Sequence, residues 1–148
     1  MLPAIETARS EASRLHVRSQ RQLAMLTVQF LLGMAVNLMG TPSNGTLGAA
    51  RSAYYVLIAA HVLVGLALLA GAVLTIGRAT RGGPAAGHLA WLGGVSVAVA
   101  FVAGIATGVV TMITPGAVLG GDLLSYLMAA GFIAAFIFYG ALYQRTSV

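Results

Sequence analysis

The sequence predicts an all-α integral membrane protein, a four-transmembrane-helix bundle with both termini on the cytoplasmic side. Three observations lead there. The first is a set of four long apolar runs, the plainest being YYVLIAAHVLVGLALLAGAVLTI at residues 54–76, which holds a single ionisable residue, His61. At the α-helical rise this run reaches about 34 Å, enough for a hydrocarbon core about 30 Å thick. The second is that charged residues make up 7% of the chain, where soluble domains carry about a quarter. The third is the placement of the eight arginines. Arg9, Arg14, Arg18 and Arg21 precede span one, Arg78 and Arg81 follow span two, and Arg145 ends the chain; only Arg51 falls on the opposite side. Cytoplasmic segments are the ones enriched in basic residues, so the arginine-rich side is read as cytoplasmic.

Composition narrows the chemistry. There is no cysteine, which removes disulfides, thiolate metal sites, thiol nucleophiles and covalent heme attachment. Arginine is used to the exclusion of lysine, which we read as a mark of a GC-rich bacterial genome. Because these arginines flank membrane spans, the partner expected of them is anionic lipid at the cytoplasmic face and not nucleic acid.

Taken in order, residues 1–21, MLPAIETARSEASRLHVRSQR, form a basic cytoplasmic N-terminal segment. Ile5, Ala8, Ala12 and Leu15 fall at helical spacing, and Glu11 is placed to pair with Arg14. The segment reads equally as a short interfacial helix on anionic headgroups or as a basic tail that only fixes topology, with His16 in solvent. The bundle itself covers residues 22–143. Span one, about 22–39, is longer than the apolar core of a signal peptide and lacks a small-x-small cleavage site, so it is read as retained. Gly40 to Gly45 supplies stop and turn chemistry, and Asn44-Gly45-Thr46 matches a glycosylation sequon by chance. Span two, about 54–76, has Ser52 as its expected N-cap and Tyr54 and Tyr55 at the interface. Span three, about 88–113, is anchored by Trp91 and ended by Thr114-Pro115-Gly116. Span four, about 123–143, has Asp122 as its expected N-cap. Residues 144–148 form a cytoplasmic tail.

Small residues mark packing faces. Ser96, Ala100, Gly104 and Gly108 recur at i+4 in span three, and Gly131 and Ala135 in span four, which lets another helix approach closely. That neighbour is either inside the same bundle or a second copy of the chain in a homo-oligomer. Spans one and three both end in Thr-Pro, at Thr41-Pro42 and Thr114-Pro115. The same alignment pairs Val36 with Val109 and Met39 with Met112, hinting at two helix pairs related by a pseudo-twofold axis along the membrane normal.

An ionisable side chain sunk in the membrane is a functional-site hypothesis by default. Depth along the spans brings His61 level with a set of polar residues in the outer half. Gln29 and Asn37 come from span one, on a face with Gly33; Thr107 and Thr111 come from span three; Tyr126 and Met128 come from span four. These form either an interhelical hydrogen-bonded cluster or a cofactor pocket built on His61, Met128 and Tyr126.

Span one, VQFLLGMAVNLMGTP, followed by AHVLVGLALLAGAVL, resembles the first helix pair of the four-helix heme-binding units of the heme A synthase family. That resemblance covers about half the chain. It implies a bundle whose second and fourth spans each present a histidine as axial heme ligand, with His61 matching the first. The fourth span here has no histidine, so Met128 or Tyr126 would take the second position. The acidic residue before that histidine and the arginine after it are also replaced, by Ile58, Ala59 and Ala60 before His61 and by Val62 after it.

Three functions follow from these readings. The leading one is a non-catalytic accessory or scaffold subunit of a larger membrane complex, since paired carboxylates and metal-spaced histidine clusters are missing from the sequence. The alternatives are a b-type heme- or quinone-associated electron carrier using His61, and an oligomeric small-solute or proton-coupled transporter with His61 as proton carrier. The expected location is the bacterial cytoplasmic membrane.

Overall fold

The computed structural model describes residues 2–40, 42, 45, 47–113 and 118–147, with the backbone alone for 2–9, 111, 112 and 118–121. The glycosylation sequon and both Thr-Pro pairs fall wholly or partly outside the described residues. Four helices make up the chain: α1 (Leu2–Met39), α2 (Gly48–Ala79), α3 (Pro84–Ile113) and α4 (Val118–Thr146). All four are long and apolar enough to cross a membrane, so the chain is a small multi-pass membrane protein. Each helix lies beside two others among the described residues: α1 on α2 and α4, and α3 on α2 and α4.

The helices run past the apolar spans at most of their ends. A span ends where apolar residues stop, whereas a helix continues as long as its backbone bonds are made, and those bonds are equally available in the headgroup region. α2 therefore starts at Gly48 with Leu47 before it and no side-chain cap, which places Ser52 inside the helix. α4 likewise begins before Asp122. The α2–α3 turn is short: Gly83 adopts φ 113°, and Pro84 opens α3 at the position where its missing N–H costs nothing. Gly40 ends α1 with φ 64°, its N–H donating to the Asn37 carbonyl at 3.3 Å.

The N-terminal segment departs most from expectation. It is neither a separate interfacial helix nor a loose tail, because α1 is continuous from Leu2 to Met39. The stripe noted at Ala12 and Leu15 continues through Ser19, Gln22, Leu26, Gln29 and Gly33, alternating steps of three and four. Leu15, Ser19, Gln22, Leu26 and Gln29 are all buried. This is the seam of a left-handed helix bundle. His16 is half-buried and not in solvent: its ring stacks on Tyr143 of α4 at 4.1 Å between centroids. The expected Glu11–Arg14 ion pair is not formed.

Burial is concentrated at the arginine-bearing end. Among the described residues, buried positions stop at Gln29 in α1 and Ala103 in α3, and begin at Gly65 in α2 and Gly131 in α4. Leu26, Leu68, Ala72, Ala90, Val97, Tyr139 and Leu142 form the core there. In the other half the inward faces are only partly covered among the described residues. α3 and α4 meet at closest range. A Cβ on Gly131 would stand 2.8 Å from the Ser96 carbonyl oxygen and 3.0 Å from the Ala100 backbone nitrogen. Buried hydroxyls on the seams bond to their own helices: Ser19 donates to the Leu15 carbonyl at 3.0 Å and Thr75 to the Gly71 carbonyl at 2.7 Å.

Candidate functional site

The chain's polar site lies between α1 and α2. At 100° per residue, Gln22 and Gln29, seven apart, return to nearly the same face of α1. On α2 the seam positions Gly65, Leu68, Ala72 and Thr75 are buried, and His61 lies one turn before Gly65 on that line. Antiparallel packing of α1 on α2 then sets each polar side chain opposite a glycine. The His61 ring sits in the notch left by Gly33, where a Cβ would come within 3.1 Å of its Cε1. The Gln29 amide sits against Gly65, with Phe101 of α3 closing the other side. The Gln22 amide fills the notch of Gly71.

The bonds run from helix to helix. Gln22 Nε2 donates to the Leu68 carbonyl at 3.4 Å, and Gln29 Nε2 lies 3.1 Å from His61 Nε2. With the amide so placed, Gln29 donates and His61 accepts, which puts the ring proton on Nδ1. Turning the amide by 180° presents Gln29 Oε1 instead, which can accept from a protonated Nε2. The clasp therefore serves either form of the ring. Three atoms along this seam are buried without partners: Gln22 Oε1, Gln29 Oε1 and His61 Nδ1. A bilayer offers no water to satisfy them, so each is a place where a polar guest or buried water is favoured.

Of the polar set read from the sequence, the structure joins Gln29 and His61 in the α1–α2 site. Asn37 is exposed. Two steps of four residues turn about 80° past two full rotations, so Asn37 has wound off the face that Gln29 begins. Thr107 is half-buried and its hydroxyl donates to the Ala103 carbonyl at 2.8 Å. The side chain of Thr111 is outside the described residues. Tyr126 is 73% exposed on α4, and Met128 points its sulfur at Gly104 of α3, 3.3 Å from where a Cβ would stand. Gln22, Gly65, Gly71 and Phe101 complete the site and were not read from the sequence; the seven-residue interval between the two glutamines was the available signal for the first.

The same winding explains the small-residue stripe of α3. Ala100 and Gly104 face α4, at Gly131 and Met128, and the Ser96 carbonyl also meets Gly131, while Gly108 has nothing within 4 Å among the described residues. Ala135 is fully buried. The Ser96 carbonyl, Ala100, Gly104, Gly131 and Ala135 are thus seated inside the bundle, and Gly108 is exposed.

Heme does not fit this arrangement. His61 Nε2 is engaged by Gln29 and its ring is pressed to α1, while Met128 packs toward α3. An open apolar cleft of about 390 Å³ lies between α3 and α4, lined by residues that include Val95, Val99, Val102, Ala106, Leu124 and Leu127, and none of its lining comes from α1 or α2. No group of three metal-ligating side chains occurs among the described residues. Compared with known proteins, the chain matches no family model, no curated protein and no solved structure.

Proposed function

We propose that the chain is a non-catalytic accessory or scaffold subunit of a larger complex in the bacterial cytoplasmic membrane, with both termini inside. One observation carries this reading: the only ionisable side chain deep in the spans is spent holding α1 to α2, in a notch that Gly33 leaves for it. The arginine distribution supports the orientation. The half of the bundle far from the arginines supports the partner, because its inward faces are incompletely covered and a neighbouring helix would complete them.

Cross-linking of the tagged chain at native expression level, followed by mass spectrometry, tests the proposal. The expected result is one reproducible membrane partner, cross-linked through the distal halves of the helices and retained by His61→Ala. A chain that stays alone, and whose His61→Ala variant loses a heme Soret band or a proton flux at unchanged stability, would refute it. Orientation is tested separately by single cysteines at Ser10 and Gly45, which the absence of native cysteine makes clean. A membrane-impermeant thiol reagent added outside should label position 45 alone.

A second reading is favoured by the unpartnered His61 Nδ1. In an electron carrier of the quinone-associated kind, a quinone carbonyl would accept the Nδ1 proton as a hydrogen bond. Quinone-dependent stabilisation lost in His61→Phe would put this reading first.

A further inference from the structure

At the arginine-bearing end, Ser13, Arg14, Val17, Arg18 and Arg21 of α1 and Arg78 of α2 line one concave patch of about 360 Å³. The sequence places three of these arginines at i, i+4 and i+7, which is one face of a helix. Packing adds the fourth. Leu15 and Ala79 are both buried in the same core cluster, so the last turn of α2 comes alongside Arg14 and Arg18 and delivers Arg78 to them. Like charges are gathered here: Arg78 and Arg21 both act on Arg18. Among the described residues no carboxylate pairs with any of the four. The C-terminal dipole of α2 offers Arg78 about half a negative charge, against four positive ones.

Four guanidinium groups gathered here, with Glu11 the nearest carboxylate along the face and not paired to Arg14, leave a net positive patch that suits an anion. Guanidinium forks match phosphate oxygens two at a time, and the Ser13 hydroxyl adds a neutral donor. The face that carries the arginines continues toward the membrane centre through Ala24, Val28 and Leu31, all exposed. Acyl chains have a surface to lie on directly below the phosphate. We propose that this patch is a discrete site for the headgroup of one anionic phospholipid, its phosphates held between Arg18 of α1 and Arg78 of α2 with Arg14 and Arg21 at the rim. Four positive charges suit a lipid with two phosphates better than one with a single phosphate. The inference rests on the arginine-bearing end lying at a membrane surface and is independent of which surface it is.

The test uses the full-length chain purified in detergent, with native mass spectrometry and thermal unfolding as readouts. The probes are diphosphatidylglycerol, phosphatidylglycerol, phosphatidylcholine and inorganic phosphate. The variants are Arg18→Gln/Arg78→Gln, its charge-matched control Arg81→Gln/Arg145→Gln, and Arg18→Lys/Arg78→Lys, which keeps charge and loses the fork. Diphosphatidylglycerol should be retained by the wild type and the control, and about tenfold less by the glutamine pair, with the lysine pair between them. Lipid-free melting of every variant separates loss of binding from loss of fold. Equal weakening in the glutamine pair and the control would mean diffuse attraction and overturn the site. Stabilisation by inorganic phosphate as large as by lipid would assign the patch to a soluble phosphate and overturn the lipid. Either failure leaves the accessory-subunit proposal to its own cross-linking test.

Discussion

Gly131→Ala and Gly108→Ala should have opposite effects, although both add one methyl group to a small-residue stripe. At Gly131 the new carbon would stand 2.8 Å from the Ser96 carbonyl oxygen, 3.0 Å from the Ala100 nitrogen and 3.1 Å from its Cβ. Ordinary carbon contacts lie at about 3.5 to 4.0 Å, so α4 must move away by several tenths of an ångström. Two of the three obstacles are backbone and cannot rotate aside. Overpacking of this kind costs about 1 to 3 kcal/mol, and the backbone contacts argue for the upper part of that range. Replacing glycine by alanine in a helix returns about 1 kcal/mol, leaving a net loss of about 1 to 2 kcal/mol for Gly131→Ala. At Gly108 nothing lies within 4 Å among the described residues, so the helix gain dominates and the variant should be stabilised by up to about 1 kcal/mol. Reversible unfolding in mixed micelles of increasing sodium dodecyl sulfate reads both on one scale. If Gly108→Ala destabilises as much as Gly131→Ala, the stripe is packed against something the isolated bundle does not contain, and its assignment to the α3–α4 contact fails.

Three further predictions concern other contacts in the bundle. In a double-mutant cycle, Gln29→Leu and His61→Phe should each destabilise by about 1 to 2 kcal/mol, because each leaves its partner's buried nitrogen unmet. Their coupling should be about 0.6 to 1.7 kcal/mol, and additivity within error would remove the clasp. His16→Ala should loosen the first part of α1 by breaking the stack on Tyr143, a contact class worth about 0.5 to 1.5 kcal/mol. Hydrogen exchange should rise over residues 10–19 and stay unchanged over 22–39; a uniform rise would mean that α1 opens as one unit. Tyr139 is fully buried with its hydroxyl unpartnered, so Tyr139→Phe should be neutral or stabilising by about 1 kcal/mol. A loss above about 1 kcal/mol would show that the hydroxyl has a partner, such as an ordered water.

The four helices were legible because they rest on one property, the length of an apolar run, which needs no knowledge of neighbours. Helix ends were less legible. At Gly48 no side chain caps the backbone, and α4 already runs from Val118, so Ser52 and Asp122 lie inside their helices and do not mark where they start. The N-terminal segment was misjudged for a related reason: its polar residues mark the end of the span, while its buried stripe, Leu15 and Ser19, marks the continuation of the helix. At the candidate site, equal depth was a poor guide to contact. Tyr126 and Asn37 share the level of His61 but point elsewhere, since depth fixes only one of the two coordinates of a residue on a cylinder. The other is angle, and steps of four drift by about 40° each, while alternating three and four stays on the seam. Reading the glutamines by that alternation finds Gln22 and rejects Asn37.

The two helix pairs are held by different physics, and that difference decides where this bundle can respond to its surroundings. Apolar contact gives no drive in lipid, so association must come from close packing or from hydrogen bonds. α3 and α4 use the first: Gly131 lies on backbone, and separation would forfeit many contacts at once. α1 and α2 use the second, through Gln22, Gln29 and His61, and leave three polar atoms unsatisfied. Those atoms reward whatever donor or acceptor reaches them, so a small opening of the α1–α2 seam exchanges one set of hydrogen bonds for another. An opening of the α3–α4 seam has no such compensation. The same two helices carry the arginine patch at their packed end. A phosphate bridging Arg18 to Arg78 would therefore tighten the hydrogen-bonded α1–α2 seam, and its removal should raise hydrogen exchange across α1 and α2 before α3 and α4.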